Sequence, residues 1–224
     1  MTWRRSAFGA LLGSLAVAAL GATVAVAAVG VVAGFGSGWD DHAVWYVNRA
    51  AGLASYLLIA LSLAIGATAS SAIGDGAVAR ARLLAAHQSA GYGGLALALV
   101  HAVVLLWDEY VGFSLRELLV PFSSDFAPER TALGVLALHL LGVSVAAFWL
   151  RAQLGRRLWR WVHLSSVAAF AAAFVHGVYL GSDTAQGWAQ GIYLAGIFLV
   201  VAGLTTRLVY RRPNPRALAN PQRA

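Results

Sequence analysis

Cysteine is absent from this chain of 224 residues, which excludes disulfides, cysteine-bound iron–sulfur clusters and thiolate zinc sites. Histidine, present six times, is the obvious soft-metal ligand that remains. Lysine is absent as well, so all 16 basic residues are arginine. Charge of either sign is sparse: 11% of residues, against about 25% in an ordinary soluble domain. With 60% hydrophobic residues and a mean hydropathy of +0.72, the composition points to an integral membrane protein. The five prolines fall at 121, 128, 213, 215 and 221, in one connection and near the carboxyl end.

The net charge of +7 could suggest nucleic acid, but its distribution argues for a membrane instead. If the amino terminus is cytoplasmic and six spans follow, thirteen arginines lie inside: 4, 5, 80, 82, 151, 156, 157, 160, 207, 211, 212, 216 and 223, against one acid, Asp75. The outer side then holds Arg49, Arg116 and Arg130 with the other eight acids, among them Asp108, Glu117 and Asp183. Cytoplasmic loops of membrane proteins carry such an arginine excess. The basicity is a topology signal, with no nucleic-acid partner implied.

A membrane-crossing helix needs roughly 20 apolar residues. Six segments meet or approach this, at 7–34, 47–69, 83–107, 133–150, 158–180 and about 187–208. None alternates as a strand would, and the polar lumen positions of a closed barrel are missing. The expected fold is therefore an all-α integral membrane protein, a six-helix transmembrane bundle with both termini cytoplasmic. Residues 1–212 form one membrane domain, and 213–224 a disordered cytoplasmic tail. The apolar run of the first segment exceeds the 7–15 residues of a signal core, so it reads as a retained span that packs. The long outer connection at 108–132 includes an apolar stretch, 115–122, suited to a short helix along the membrane surface. The inner connection at 151–157 reads as a short, tight, arginine-rich loop. No phosphate-binding glycine motif occurs in a plausible setting.

Four histidines form two matched pairs. His87 and His101 are 14 positions apart in the third segment, and His163 and His176 are 13 apart in the fifth. At 1.5 Å per residue these spacings rise roughly 21 and 20 Å. His87 and His163 thus lie at one depth near the inner surface, and His101 and His176 at another near the outer. Fourteen residues return to the same helix face; thirteen do not. The fifth helix must therefore be locally overwound, or its imidazoles must leave from different sides. Ionisable groups at such depths are costly and usually functional. Two neutral imidazoles on either side of a haem keep both axial positions filled, so electron exchange changes geometry little. Two haems at the two depths would divide one impassable jump into feasible steps. The competing interpretation is a set of interhelical hydrogen bonds or a polar proton path. Small residues between the pairs (Gly91, Gly93, Gly94, Ala96, and Ala168 to Ala173 apart from Phe170) leave room for a macrocycle, or simply favour close helix packing.

Other residues are secondary candidates. His139 lies level with the outer pair and could contact a propionate, ligate, or bond a nearby carbonyl. His42, beside Asp40 and Asp41, belongs to a solvated loop. Arg80, Arg82 and Arg160 flank the inner pair, and Tyr92, Ser89 and Ser165 lie within a turn of the histidines. Trp107, Trp159, Trp161 and Trp188 occupy expected membrane boundaries.

On these histidines, at 14 and 13 on the third and fifth of six helices, the chain resembles the ferric reductase-like transmembrane family, whose haem core also occurs in NADPH oxidases. Further similar pieces are WYVNRAAGLASYLL (45–58), LVPFSSDFAPE (119–129), LWRWVHLSS (158–166) and VHGVYLGSD (175–183). The resemblance implies two b-type haems ligated by His87, His101, His163 and His176, with electrons flowing outward from the cytoplasmic face. It also places Arg49, within NRAAG, near the outer haem, where a guanidinium suits a propionate; a snorkelling interfacial arginine is the alternative. Many members carry a flavin and nicotinamide domain that has no counterpart here. In this the chain is similar to the haem-binding membrane subunit of periplasmic methionine sulfoxide reductase, although that group's third-helix ligand pattern is less complete.

The expectation is a multi-pass cytochrome b of the cell (inner or plasma) membrane, an oxidoreductase subunit. Its donor is a separate flavoprotein reductase or a quinol, and its acceptor is extracytoplasmic. The rival from another class is a permease, proton channel or assembly anchor whose histidines line a polar path.

Overall fold

A computed structural model describes residues 43–72, 80–108 and 110–211. The expected first span, Arg4, Arg5, His42 and the tail at 213–224 lie outside the described residues. The elements in order are α1 (Ala43–Ala69), α2 (Arg80–Val104), α3 (Leu115–Leu119), α4 (Pro128–Trp149), α5 (Arg151–Leu180) and α6 (Gly187–Val209); α2 closes in a 3₁₀ turn at Leu105–Trp107. Among the described residues there is no strand, and five helices are long and apolar enough to cross a membrane. The protein is a multi-pass helical membrane protein.

The helices run past their apolar segments where the flanking chemistry permits. Pro128 opens α4, five residues before the apolar run begins. Its fixed φ suits the first helical turn, and Glu129 beside it complements the positive end of the helix dipole. The connection at 151–157 is helical rather than an open loop. Its bend is confined to Gly155, whose φ of 70° and ψ of 161° interrupt α5. Only glycine adopts such dihedrals without strain. The surface helix expected at 115–122 is α3, shorter by three residues. Ser114 accepts from the Glu117 amide while the Ser114 amide donates to the Glu117 carboxylate at 2.8 Å, a reciprocal capping box. The Ser114 hydroxyl, which donates to the same carboxylate at 2.7 Å, and then the Ser114 amide hold the Glu117 carboxyl below its ordinary range. Leu118 is buried, while Leu115, Leu119 and Phe122 are exposed.

Three pairings build the bundle: α1 on α2, α4 on α5, and α1 on α6. The first two are antiparallel hairpins. α1 and α6 run parallel, with Tyr56 against Tyr193 at one depth and the Ala72 amide donating to the Tyr210 carbonyl (2.8 Å) at the inner end. The core of α1 is mostly small: Ala50, Ala51, Ala54 and Ala60 are buried. Lipid offers helices no hydrophobic drive to associate, so close approach by small residues carries the packing. At Gly203 of α6 a Cβ would lie 2.6 Å from the Ala64 Cα, main chain against main chain. Gly203→Leu is therefore expected to lower the thermal midpoint in detergent, at a cost of about 1–3 kcal/mol. Gly191→Ala, with nothing within 4 Å of its Cβ, is the matched control and should leave the midpoint unchanged.

Candidate functional site

α2 and α5 face one another and bring the four histidines together in two levels. At the arginine-rich end, called the inner level for its expected orientation, the His87 and His163 ring centres are 5.8 Å apart; at the opposite end, called the outer level, those of His101 and His176 are 6.1 Å apart. Both pairs have planes 84° apart. The spacing of 13 on α5 is absorbed without breaking the helix, since the one non-helical residue of α5, Gly155, precedes His163. α4 holds both imidazoles in place, His176 through Arg130 and His163 through Ser144.

Each ring is fixed through Nδ1 by the neighbouring helix of its hairpin. His101 Nδ1 donates to the Asn48 carbonyl (2.9 Å), His87 Nδ1 to the Ser62 carbonyl (2.8 Å), and His176 Nδ1 to the Arg130 carbonyl (2.8 Å). A carbonyl only accepts, so in these three rings Nδ1 carries the proton and Nε2 is left for a ligand. His163 differs in partner, with Nδ1 at 3.3 Å from Ser144 Oγ. The contacts repeat across the two hairpins. Ser62 Oγ donates to the His87 carbonyl at 3.0 Å, and Ser144 Oγ to the His163 carbonyl at 3.2 Å. Asn48 Nδ2 donates to the His101 carbonyl at 2.8 Å. The anchors obey one register: 48 and 62 on α1, 130 and 144 on α4, each pair 14 apart like the two histidines on α2.

Glycine makes these close approaches possible. One turn after each carbonyl anchor stands Gly52, Gly66 or Gly134. A Cβ there would lie 2.9 Å from the His101 ring, 2.9 Å from the His87 ring and 2.6 Å from the His176 ring, respectively. By contrast, Gly94 of α2 packs on Ile59 and Gly91 faces Ser62, so these small residues serve the α1–α2 contact. Ala169 and Ala173 of α5 do line open space at the outer level.

That space is a cavity of about 440 Å³ whose walls include His101, His176, Gly52, Gly134 and Arg49. Small-molecule sites commonly measure about 300–1,000 Å³. Arg49 is paired with Asp183 from the α5–α6 connection, and its guanidinium lies 3.8 Å over the Trp45 ring. Its Nε is buried with no acceptor. Asp183 also lines the cavity, although in the sequence it reads only as one of the acids of the arginine-poor side. At the inner level Trp159 stacks on His163 at 5.3 Å, planes 10° apart.

Between the levels the space is aromatic. Tyr56 stacks on Phe170 at 5.1 Å and meets Tyr193 edge-on at 5.8 Å. The Tyr56 hydroxyl donates to the Tyr193 carbonyl and the Tyr193 hydroxyl to the Gly177 carbonyl, both at 2.9 Å. No sequence pattern marked this cluster, because its members come from three helices.

His139 is not part of either level. It is exposed, and its Nδ1 bonds the Val135 carbonyl of its own helix at 2.9 Å. Ser165 bonds the Leu140 and Val162 carbonyls rather than an imidazole, and Arg82 and Arg160 are exposed. Among the described residues no group of three or more His, Cys, Asp or Glu side chains could hold a metal ion. Compared with known proteins, the chain matches no family model, no curated protein and no solved structure.

Proposed function

We propose that this protein is a six-span cytochrome b with cytoplasmic termini, of the ferric reductase-like kind, resident in the cell (inner or plasma) membrane. It carries electrons outward through two haems b, one held by His87 and His163 and the other by His101 and His176. One observation carries this reading: two imidazole pairs at 5.8 and 6.1 Å between ring centres, stacked at two depths. Metal–nitrogen bonds of about 2 Å, plus the distance from ring centre to nitrogen on each side, put imidazole centres about 6 Å apart across one metal. A site with two protein ligands suits a metal that brings its own equatorial donors. Ligating histidines characteristically give their other N–H to a carbonyl, as His87, His101 and His176 do.

A bound haem supplies reversible one-electron storage at its iron. The chain's own residues set the conditions for it. Asn48, Ser62, Arg130 and Ser144 fix ring orientation; Gly52, Gly66 and Gly134 let those rings seat against α1 and α4. Arg49, oriented by Asp183 and Trp45, offers positive charge to a carboxylate at the outer level. The donor is a separate flavoprotein reductase or a quinol on the inner side, and the acceptor is extracytoplasmic. A polar path for protons or solutes fits less well, because stacked aromatic rings fill the space between the levels and their hydroxyls are committed to main-chain carbonyls.

A reduced-minus-oxidised spectrum and haem assay of purified protein test the proposal. Two low-spin b-type haems per chain are expected. A colourless protein after expression with ample haem would refute it.

A further inference from the structure

Among the described residues two side-chain N–H groups are buried without an acceptor: Arg49 Nε and Trp159 Nε1. Each lies beside one level of histidines. Arg49 shares the outer cavity with His101 and His176, and Trp159 stacks on His163 of the inner pair. Buried donors without partners are rare in native proteins, so each points to an acceptor that belongs in the site. Trp107, Trp161 and Trp188 are exposed at the span ends, where water or headgroups reach the indole. Trp159 has no such outlet for its N–H. Stacking accounts for an aromatic ring at 159 but not for the indole, since phenylalanine would stack equally well.

Trp159 precedes His163 by one turn on the arginine-rich side of α5, and side chains one turn apart share a helix face. Indole and imidazole therefore share one face of α5, and His87 of α2 approaches it with its ring centre 5.8 Å from that of His163. We propose that Trp159 donates its indole N–H to a carboxylate at the margin of the group held between His87 and His163, a propionate of the inner haem. This rests on the two-haem reading above. A carboxylate is favoured over a neutral acceptor because a charged acceptor makes the stronger bond, and at the outer level Arg49 still has its Nε unmatched after pairing with Asp183. Trp159 is thus a positioning residue at the inner level, the counterpart of Arg49 at the outer.

The test uses the full chain carrying haem. Trp159→Phe keeps a stacked ring and removes the donor. The inner haem is observed alone in a His101→Ala background, and the outer haem alone in a His87→Ala background. Loss of a hydrogen bond to an ionised group should weaken haem retention at the inner level roughly tenfold, read by transfer to an apo-haem protein. The inner midpoint potential should fall, because a less neutralised carboxylate favours ferric iron; the outer haem should show neither change. If Trp159→Phe does not accumulate, wild-type apoprotein loaded with haem dimethyl ester replaces the ionised acceptor with a weaker, neutral ester carbonyl and should likewise show weakened retention at the inner level. Unchanged retention and potential in Trp159→Phe, or full retention of the ester at the inner level, would overturn the inference. Wild-type protein that takes up no haem sinks the two-haem reading itself, whereas two haems with an indifferent Trp159→Phe sink this inference alone.

Discussion

His101→Ala is expected to yield a folded protein that keeps the inner haem and loses the outer one. His101 closes one side of the outer cavity, and its partner His176 lies across a gap sized for a single metal. With one imidazole removed, a haem at this level would be held from one side only, in a mostly apolar space. The loss should be near complete at the outer level, since disturbing even the partners of a metal ligand commonly costs 10–100-fold in affinity. His163→Ala should do the converse. A haem assay on purified variants reads both results, with His139→Ala as the control. That ring is exposed and bonded within its own helix, so both haems should persist. Retention of both haems in His101→Ala would remove that residue from the ligand set.

Gly134→Val should be nearly as damaging to the outer level, although position 134 carries no chemistry. A Cβ at this position would stand 2.6 Å from the His176 ring. The imidazole must turn away from its carbonyl anchor, or α4 must part from α5. Either outcome shifts the outer iron from low spin or releases it, with a stability cost of about 1–3 kcal/mol for overpacking. Optical and electron paramagnetic resonance spectra separate the two. Gly142→Ala on the same helix meets nothing within 4 Å and should leave both spectra intact. An unaltered low-spin signal in Gly134→Val would mean that His176 does not need this seat.

Much of the fold could be read from apolar run lengths, because a spanning helix must satisfy its own backbone and a long apolar run in lipid can do little else. Five of the six expected spans are helices here, and the sixth lies outside the described residues. Their ends were less legible. Pro128 and Gly155 act through dihedral preference, which hydropathy does not sense, so α4 starts earlier and the 151–157 connection is helical with one bend. The pairing of His87 with His163 and of His101 with His176 was legible as depth. What holds those rings was not, because three of the four anchors are main-chain carbonyls, a group every residue possesses. The glycines gave a faint signal: Gly52 and Gly66 repeat the interval of 14 found in the histidines, and only packing shows why. Asp183 lies 134 positions from Arg49, so no local pattern could have joined them.

A main-chain anchor has an evolutionary corollary. The carbonyl at 130 already serves its own helix and gives its second lone pair to His176, so its function is indifferent to the side chain attached there. Arginine at that place can drift to almost any helix-compatible residue without loosening the ring, while the glycine one turn on tolerates no replacement. Sequence variability and functional weight are thus expected to part at two positions one turn apart, 130 and 134, and a search for invariant polar contacts would pass over the very atom that aims the ring.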